Sequence, residues 1–300
     1  MKIYSTIDVN RHWFFNKSLE NILGKKTLLI NFKNLFFKLL LNRKKSALII
    51  DSGLIEKLLI LFIAGKNVNV IIHGEAGFGN YKKNFKKRIY FILFNFLIHN
   101  TNCKVIFVSR YLKKRFNSKN NFYYLEHPGF FINGNKIKAE NIINSVGSIS
   151  SEKSINNYLN NVDFILNKKD FHINHFGSFF INSKIYNNIK FNGFVKNQVN
   201  LKIFSQSKFI FLLNNSQYIN IVSGVVIQSI YNLCVIITHS KYPEIIDFYE
   251  KLFNVKIHIS LQNFLKLKNP NIFYESKSKE LTSLRKKLNN LSLNDSNKIF

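Results

Sequence analysis

Cysteine and proline are scarce in this chain, which has two cysteines, three prolines and twelve glycines among 300 residues. Cys103 and Cys234 lie far apart in the sequence and form no C-x-x-C motif. This spacing argues against a disulfide framework and against a cysteine zinc site, and it fits a reducing cytoplasm. The few prolines and glycines also exclude collagen-like and proline-rich low-complexity chains.

Long hydrophobic runs are missing as well. The longest, Leu58–Ala64 and Ile89–Ile98, fall short of the ~18–20 residues that a bilayer-spanning helix needs. The N-terminal residues open directly into a strand-like segment and lack the pattern of a signal peptide. The sequence therefore predicts a soluble or peripheral protein. Its 46% apolar residues supply enough core for about two ordinary domains.

Acidic side chains are greatly outnumbered, with 16 Asp and Glu against 44 Lys and Arg and a net charge of +28. A chain this basic is attracted to polyanions, either a nucleic acid or the anionic face of a membrane. The abundance of Lys, Asn, Ile and Phe, which AT-rich codons favour, offers another interpretation. In that interpretation part of the charge reflects genome composition and is spread over a solvated surface.

Short strand-like segments alternate with helix-like segments along most of the chain. Apolar strands separated by helices predict parallel sheets that are covered on both faces. The alternation pauses at His127-Pro128-Gly129 and Asn133-Gly134-Asn135 and then restarts. The sequence therefore predicts an α/β protein of two doubly wound domains, residues 1–128 and 129–300, facing across a cleft. Ligands of such sheets bind at the carboxyl ends of the strands.

The segment Ser223-Gly224-Val225-Val226 follows a predicted strand and a polar loop, and it opens a predicted helix. Ser223 suits the N-cap position, and Gly224 lets a ligand approach the backbone closely. The free N–H groups and the dipole at this helix start favour an anion such as a diphosphate. An ordinary capped helix has the same pattern, so the motif alone leaves both interpretations open.

A second candidate, Gly147 to Lys153, follows a predicted strand and places Lys153 in the first turn of a predicted helix. A cation at that position is unfavourable for the helix dipole unless it reaches an anion held above the strand ends. In a lysine-rich chain, a solvated lysine is the alternative interpretation.

His73 ends the apolar run Val70–Ile72 and is followed by Gly74. This position predicts that His73 lies at the carboxyl edge of a sheet, where ligands bind. A buried histidine held by hydrogen bonds is the alternative.

The stretch from Tyr81 to Ile98 starts with basic residues and continues with aromatic and aliphatic ones. This order suits a helix that lies on an anionic bilayer, although a core helix with a solvated basic end fits equally well. The predicted membrane contacts are Lys82, Lys83, Lys86 and Lys87.

Several motifs of other protein classes are absent. No D-x-D motif is present to hold a nucleotide-bound metal, and neither H-E-x-x-H nor G-x-S-x-G occurs. Neither an RNP1-like run nor C₂H₂ spacing is found, so no specific nucleic-acid partner is expected.

Taken in order, several segments resemble the bacterial GT-B glycosyltransferases of group 1, a family 4-like group found in surface-polysaccharide gene clusters. The similarity rests on two strand ends, an HP pair, a glycine- and lysine-containing loop, two further strands, a donor-site helix and a closing segment. These are Ile71–Gly74, Val105–Ser109, Glu126–Gly129, Gly147–Ser154, Ile189–Val195, Ser207–Leu213, Ser223–Val225 and Tyr242–Ile246.

This resemblance implies a GT-B fold with an N-terminal acceptor domain and a C-terminal nucleotide-sugar donor domain. It implies a hexosyltransferase-type enzyme acting on a growing, lipid-linked surface polysaccharide or lipopolysaccharide. The reaction would be retaining, would need neither metal nor cofactor, and would occur at the cytoplasmic face of the cell membrane.

The resemblance also assigns roles to individual residues. His73 and Lys153 would be catalytic, with His73 against the donor sugar or the acceptor. The donor diphosphate would be bound by Lys153, Ser223 and Gly224, and the ribose and nucleoside by Gln228, Gly193 and Phe194.

Three positions depart from the family pattern. The E-x₇-E pair of the family falls on Asn220 and Gln228, and its diphosphate-binding arginine falls on Ser148. The amide of Gln228 can still hydrogen-bond ribose hydroxyls. Two alternatives therefore stay open, a catalytically inactive GT-B protein that serves as a scaffold and a basic nucleic-acid-binding protein.

Overall fold

Two structural units make up the chain in the computed structural model. The first contains residues 1–129 together with 288–300, and the second contains the described residues between 130 and 287. The structure describes all residues except 8–12, 42–45, 74–83, 115, 117–118, 130, 132–137, 148–157, 161, 164, 166, 168–169, 178–188, 194, 196, 213–223, 240–241 and 243.

The first unit contains a six-stranded parallel sheet in the order β2-β1-β3-β4-β5-β6. Its strands are β1 (Lys2–Ser5), β2 (Thr27–Leu29), β3 (Ala47–Asp51), β4 (Val68–Ile72), β5 (Lys104–Val108) and β6 (Phe122–Leu125). Its helices are α1 (Trp13–Leu23), α2 (Phe32–Leu41), α3 (Leu54–Ile63) and α4 (Phe85–Asn100), with a 3₁₀ helix at Arg110–Lys114.

The helices of the first unit are divided between the two faces of this sheet. The chain moves in one direction along the sheet from β2 to β5 and in the opposite direction from β1 to β2. Since such crossovers are right-handed, α2, α3 and α4 cover one face and α1 covers the other. On the α1 face, Phe15 and Leu19 join a core cluster with residues of five strands, among them Ile3 and Leu48.

The second unit contains another six-stranded parallel sheet, in the order β12-β11-β10-β7-β8-β9. Its strands are β7 (Ala139–Val146), β8 (His172–Phe176), β9 (Ile189–Phe191), β10 (Ser207–Phe211), β11 (Val235–Thr238) and β12 (His258–Ser260). Its helices are α5 (Asn197–Gln206), α6 (Gly224–Tyr231), α7 (Ile245–Phe253), α8 (Leu261–Lys266) and α9 (Pro270–Ile299).

The predicted α/β class and the two doubly wound parallel sheets are confirmed. The sequence pattern predicts neither α1 nor α8, and in the region of α9 it predicts a helix only over Ser276–Leu288, so the observed helix is far longer. No helix in the described part of the chain is long and apolar enough to cross a membrane.

The last helix departs from the predicted division into residues 1–128 and 129–300, because α9 begins in the second unit and its last turns belong to the first. Ile299 joins the core cluster that contains Ile3. One carboxylate oxygen of Asp295 accepts a hydrogen bond from the Glu126 N–H at 3.1 Å. The C-terminal turns are therefore part of the packing of the N-terminal sheet.

Candidate functional site

The order of the second sheet changes direction at β7. The chain proceeds from β7 to β8 and β9 on one side and then crosses to β10 on the other side. In open parallel sheets the crevice beside such a reversal, at the carboxyl ends of the strands, is the usual ligand site. Gly147 directly follows β7 and flanks this position, and Gly224 begins α6, the helix that follows β10 in the chain.

Glycines with positive φ follow three adjacent strands at this edge. Gly147 follows β7 with φ 144°, Gly177 follows β8 with φ 153°, and Gly193 lies two residues after β9 with φ 66°. Their backbones are joined to one another and to the strands. The Gly147 N–H donates to the Phe176 carbonyl at 2.9 Å, and the Gly177 N–H donates to the Gly193 carbonyl at 2.8 Å.

Gly177 shows how closely these backbones approach. A Cβ atom at this position would lie 1.7 Å from the carbonyl oxygen of Gly147. Only glycine fits there, since the space is occupied by backbone and φ is positive. We call Gly147, Gly177 and Gly193 the glycine edge; all three are half-buried, and a Cβ added at Gly193 would meet nothing within 4 Å.

The sequence analysis selected Gly193 and the Gly147 loop but not Gly177. The signal available was a glycine directly after the apolar end of a strand, at Phe176-Gly177. Such a glycine at a strand end is common, so the sequence alone did not distinguish it.

Buried polar side chains lie next to the glycine edge. Ser145 Oγ and His175 Nδ1 are 3.1 Å apart, and the two residues are register partners on β7 and β8. The Tyr158 ring centroid is 5.3 Å from that of His175. Burial lowers the pKa of His175 to about 4, against a smaller opposing effect of a backbone hydrogen bond with Gly147. The imidazole is therefore neutral at pH 7 and positions the β7 end without adding charge.

The N-terminus of α6 is accessible from solvent. Gly224, the first residue of this eight-residue helix, is exposed, and a Cβ atom added there would meet nothing within 4 Å. The first N–H groups of a helix have no partner within it, and together with the helix dipole they attract anions. This end of α6 can therefore bind a phosphate group.

Gln228 lies on the buried side of the same helix and is completely inaccessible to solvent. Its Oε1 lies 3.5 Å from Asn232 Nδ2, and its Nε2 has no hydrogen-bond partner among the described residues. A buried amide N–H₂ is unfavourable without an acceptor. Nε2 is thus the atom of Gln228 that still has donor capacity among the described residues, and its contact with ribose stays a prediction.

The first unit presents a different carboxyl edge. His73 directly follows β4, as the sequence predicts, and is half-buried. Its ring meets that of Phe15 edge to face with centroids 4.4 Å apart, and Phe15 meets His127 in the same way at 5.1 Å. His127 Nδ1 is 2.9 Å from the Pro128 carbonyl oxygen. The packing on α1 fixes the orientation of the His73 ring, and its catalytic role stays a prediction.

Buried charged groups stabilise the end of β6 at the same edge. Glu126 is completely buried, and its Oε2 accepts the Arg110 N–H at 3.3 Å. Asp295, from α9, accepts the Glu126 N–H and also forms an ion pair with the Arg110 guanidinium. The sequence analysis did not select Asp295, because nothing in its local sequence links it to β6.

Several predicted site residues lie outside the described residues, namely Lys153, Ser223, Phe194, Lys82 and Lys83, together with Ser148 and Asn220 of the departures. Lys86 and Lys87 are described and lie in the first turn of α4, Lys86 exposed and Lys87 half-buried. In the described part of the chain no group of three His, Cys, Asp or Glu residues could hold a metal ion.

Comparison with known proteins gives structural relatives only. No protein-family model and no curated protein matches the sequence. The chain resembles Anabaena HepE, solved with UDP and glucose, with a TM-score of 0.63 and 10% identity over 100% of this chain and 98% of that one. For a mutant of T4 phage BGT in complex with UDP-glucose, the TM-score is 0.55 and the identity is 13% over 99% of this chain and 97% of that one. For the spinosyn forosaminyltransferase SpnP, the TM-score is 0.53 and the identity is 8% over 98% of this chain and 96% of that one.

These similarities cover both units and nearly the full length of each relative. At such low identity they bear on the fold, which is the GT-B fold that the resemblance in the sequence implies.

Proposed function

We propose that the protein is a glycosyltransferase whose second unit binds a nucleoside diphosphate-activated sugar. The observation that carries this proposal is the arrangement at the direction change of the second sheet. There, the half-buried glycine edge and the open N-terminus of α6 lie at the same carboxyl edge. The GT-B relatives HepE and BGT, solved with UDP and glucose and with UDP-glucose, support a donor of this class.

The chemistry asked of these residues is electrostatic. When the glycosidic bond to the donor breaks, negative charge develops on the leaving diphosphate. Preoriented N–H groups and a cation stabilise that charge without a covalent step by the protein. In this proposal the Gly224 end of α6 and Ser223 supply the N–H groups, and Lys153 supplies the cation. Gln228, Gly193 and Phe194 hold the ribose and the base.

The proposal extends to the finer features that the resemblance implies. His73 contacts the donor sugar or the acceptor, and transfer is of a hexose with retention and without a metal. The acceptor is a glycan, lipid-linked and part of a growing surface polysaccharide or lipopolysaccharide. The enzyme acts peripherally at the cytoplasmic face of the membrane, where its net charge of +28 favours an anionic surface.

Calorimetric titration with UDP, GDP, dTDP, ADP and CMP tests the donor site. We expect one nucleoside diphosphate to bind, Lys153→Ala to lose most of that binding, and Gln228→Leu to weaken it about tenfold, since one hydrogen bond to the ribose is lost. Gln228→Leu removes a buried amide, so it should leave the unfolding transition nearly unchanged. Exposed Lys251→Ala on α7 is the matched control for loss of a lysine.

Transfer of the sugar is measured separately, with the matching nucleotide sugar and release of nucleoside diphosphate. Binding without turnover would support the alternative of an inactive scaffold. That alternative rests on the departures from the family pattern at Asn220, Gln228 and Ser148. Absence of binding to every nucleotide by the folded protein would contradict the donor site itself.

A further inference from the structure

The outer side of α3 is apolar. Ile55, Leu59 and Phe62 follow one another at spacings of four and three residues, which places them on one stripe of the helix. Their exposed fractions are 74%, 40% and 76%. A helix on the surface of a soluble domain usually directs polar residues to solvent on this side. In α3, apolar residues therefore occupy the solvent-facing side that usually carries polar ones.

The two charged side chains of α3 are not part of this outer stripe. Glu56 accepts hydrogen bonds from the Thr6 hydroxyl and from the Gly53 N–H, the latter at 2.9 Å. Lys57 is completely buried and donates to the Ile71 carbonyl at 3.1 Å. Since both charges point toward the protein, nothing in the sequence of α3 makes its outer stripe polar.

The neighbouring helix α4 repeats this feature. Phe85, Ile89, Ile92 and Phe96 are spaced by four, three and four residues and are all exposed, whereas its inner stripe of Tyr90, Phe94 and Ile98 is buried. The helices α2, α3 and α4 lie side by side in one layer on the sheet. Their outer stripes are therefore adjacent on one surface. We call the seven exposed residues of α3 and α4 the apolar face, namely Ile55, Leu59, Phe62, Phe85, Ile89, Ile92 and Phe96.

Exposed hydrophobic residues are concentrated in this part of the molecule. Among the described residues, 17 large hydrophobic side chains are exposed, and 13 of them lie on β2, α2, α3 and α4. Single exposed apolar residues are ordinary, but a contiguous group marks a contact surface.

Cations lie beside the apolar face. Lys86, Lys87 and Arg88 occupy the first turn of α4, where the helix dipole disfavours positive charge. Residues 27–100 contain twelve Lys and Arg and three Asp and Glu, and two of those acids, Asp51 and Glu56, are held in hydrogen bonds within the first unit. The surface thus combines apolar side chains with positive charge that has few acidic side chains near it in sequence.

We propose that the apolar face docks onto an anionic lipid bilayer, with Phe62 and Phe96 immersed among the lipids and the basic first turn of α4 at the headgroups. Charge selects this occupant over a second copy of the chain, because self-association would bring Lys86 and Arg88 of two copies together. A bilayer offers both an apolar interior and negative headgroups. The inference extends the membrane-bound acceptor of the proposed function, but its evidence does not depend on the donor site.

Vesicle binding tests this docking. Vesicles of equal parts phosphatidylcholine and phosphatidylglycerol are sedimented with the full chain and with Phe62→Ser/Phe96→Ser. Immersion of a phenyl ring is worth roughly one factor of ten in binding. We therefore expect the double variant to bind on the order of a hundredfold more weakly. The matched control, Leu252→Ser/Ile272→Ser, removes two exposed apolar side chains of the second unit and should bind as the parent does.

Charge is tested with Lys86→Glu/Arg88→Glu, which should weaken binding to these vesicles, whereas the parent should bind pure phosphatidylcholine only poorly. Nucleotide titration of every variant separates the two proposals, since loss of vesicle binding with unchanged nucleotide binding concerns the apolar face alone. Equal vesicle binding by the parent and Phe62→Ser/Phe96→Ser would overturn the inference. The inference would also be overturned if the parent does not bind vesicles but forms a dimer that the double variant does not form. The apolar face would then be a protein interface.

Discussion

Both sheets are parallel and six-stranded but differ in strand order, and their carboxyl edges are built from different kinds of groups. In the first unit the edge is lined by buried polar and charged side chains, including Asp51, Ser109, Glu126 and His127. In the second unit it is formed by the main chain of three glycines with positive φ. Side chains can offer varied donors and acceptors. In the glycine edge the N–H groups of Gly147 and Gly177 are donated to neighbouring carbonyls and hold the main chain in place, so the N–H groups left for a phosphate are those at the start of α6. Under the proposed function the first edge serves the acceptor and the second serves the donor.

The strongest test of the main-chain edge is Gly177→Ala. The added Cβ would overlap the Gly147 carbonyl and impose a strained φ, so we expect a destabilisation of roughly 3 kcal/mol or more together with loss of nucleotide binding. Denaturant unfolding and calorimetric titration measure the two effects. Gly224→Ala is the matched control for stability only, because a Cβ there meets open space, whereas Gly224 itself belongs to the proposed diphosphate site. A Gly177→Ala protein as stable as its parent would mean that the edge tolerates side chains.

The side-chain edge of the first unit is tested by Asp295→Ala. This change leaves the Glu126 N–H and the Arg110 guanidinium without their acceptor, and we expect a loss of about 2–3 kcal/mol. Nucleotide affinity should stay unchanged, since the donor edge is in the other unit. The control Glu280→Gln breaks only a half-buried i,i+3 pair with Lys277 and should cost under ~0.5 kcal/mol. Equal stabilities of the two variants would remove the distinction between the edges.

The second unit also uses a buried carboxylate, but at the opposite edge of its sheet. Glu250 on α7 accepts hydrogen bonds from the Lys256 ammonium at 2.7 Å, from the Ile257 N–H at 2.8 Å and from the His258 N–H at 3.2 Å, and it also contacts His258 Nδ1 at 2.7 Å. Burial alone would raise the pKa of Glu250, yet these hydrogen bonds, with that of His258 the largest, lower it to about 2.

The pH dependence of stability therefore has a defined sign. The depressed pKa means that Glu250 contributes stability above its unfolded value of 4.5, and this contribution is lost as pH falls toward 2. Glu250→Gln should cost about 1.5 kcal/mol at pH 7 and should reduce the decline between these pH values. Unfolding curves at a series of pH values check this. If the free energy of unfolding of the variant falls with decreasing pH as steeply as that of the parent, other groups dominate acid sensitivity in the second unit.

How much the sequence predicts also differs between the two edges. The strands, the position of His73 after β4 and the glycines 147, 193 and 224 could be identified, because glycine at a strand or helix end is a local signal. Contacts between side chains on neighbouring strands could not be identified from the sequence. The contact of Ser145 with His175 depends on the register of β7 against β8, which no local pattern specifies.

Helix α1 and the extra length of α9 escape the sequence pattern for a common physical reason. Asn16 and Ser18 of α1 are buried beside Phe15 and Leu19, which narrows its apolar stripe. The last turns of α9 bury Ser292, Asp295 and Ser296, so the periodicity that reveals a helix from hydrophobic residues is lost there. The sequence pattern thus fails where polar side chains pack inward.

The return of α9 to the first unit bears on the order in which the protein forms during translation. Residues 1–129 are synthesised before residues 288–300, so the cluster around Ile3 lacks Ile299, and Glu126 lacks Asp295, until the second unit has been made. The first sheet therefore stays incomplete while the second unit is synthesised. A chain that stops before residue 288 would accordingly lose packing in the N-terminal sheet, although it still contains every strand of that sheet.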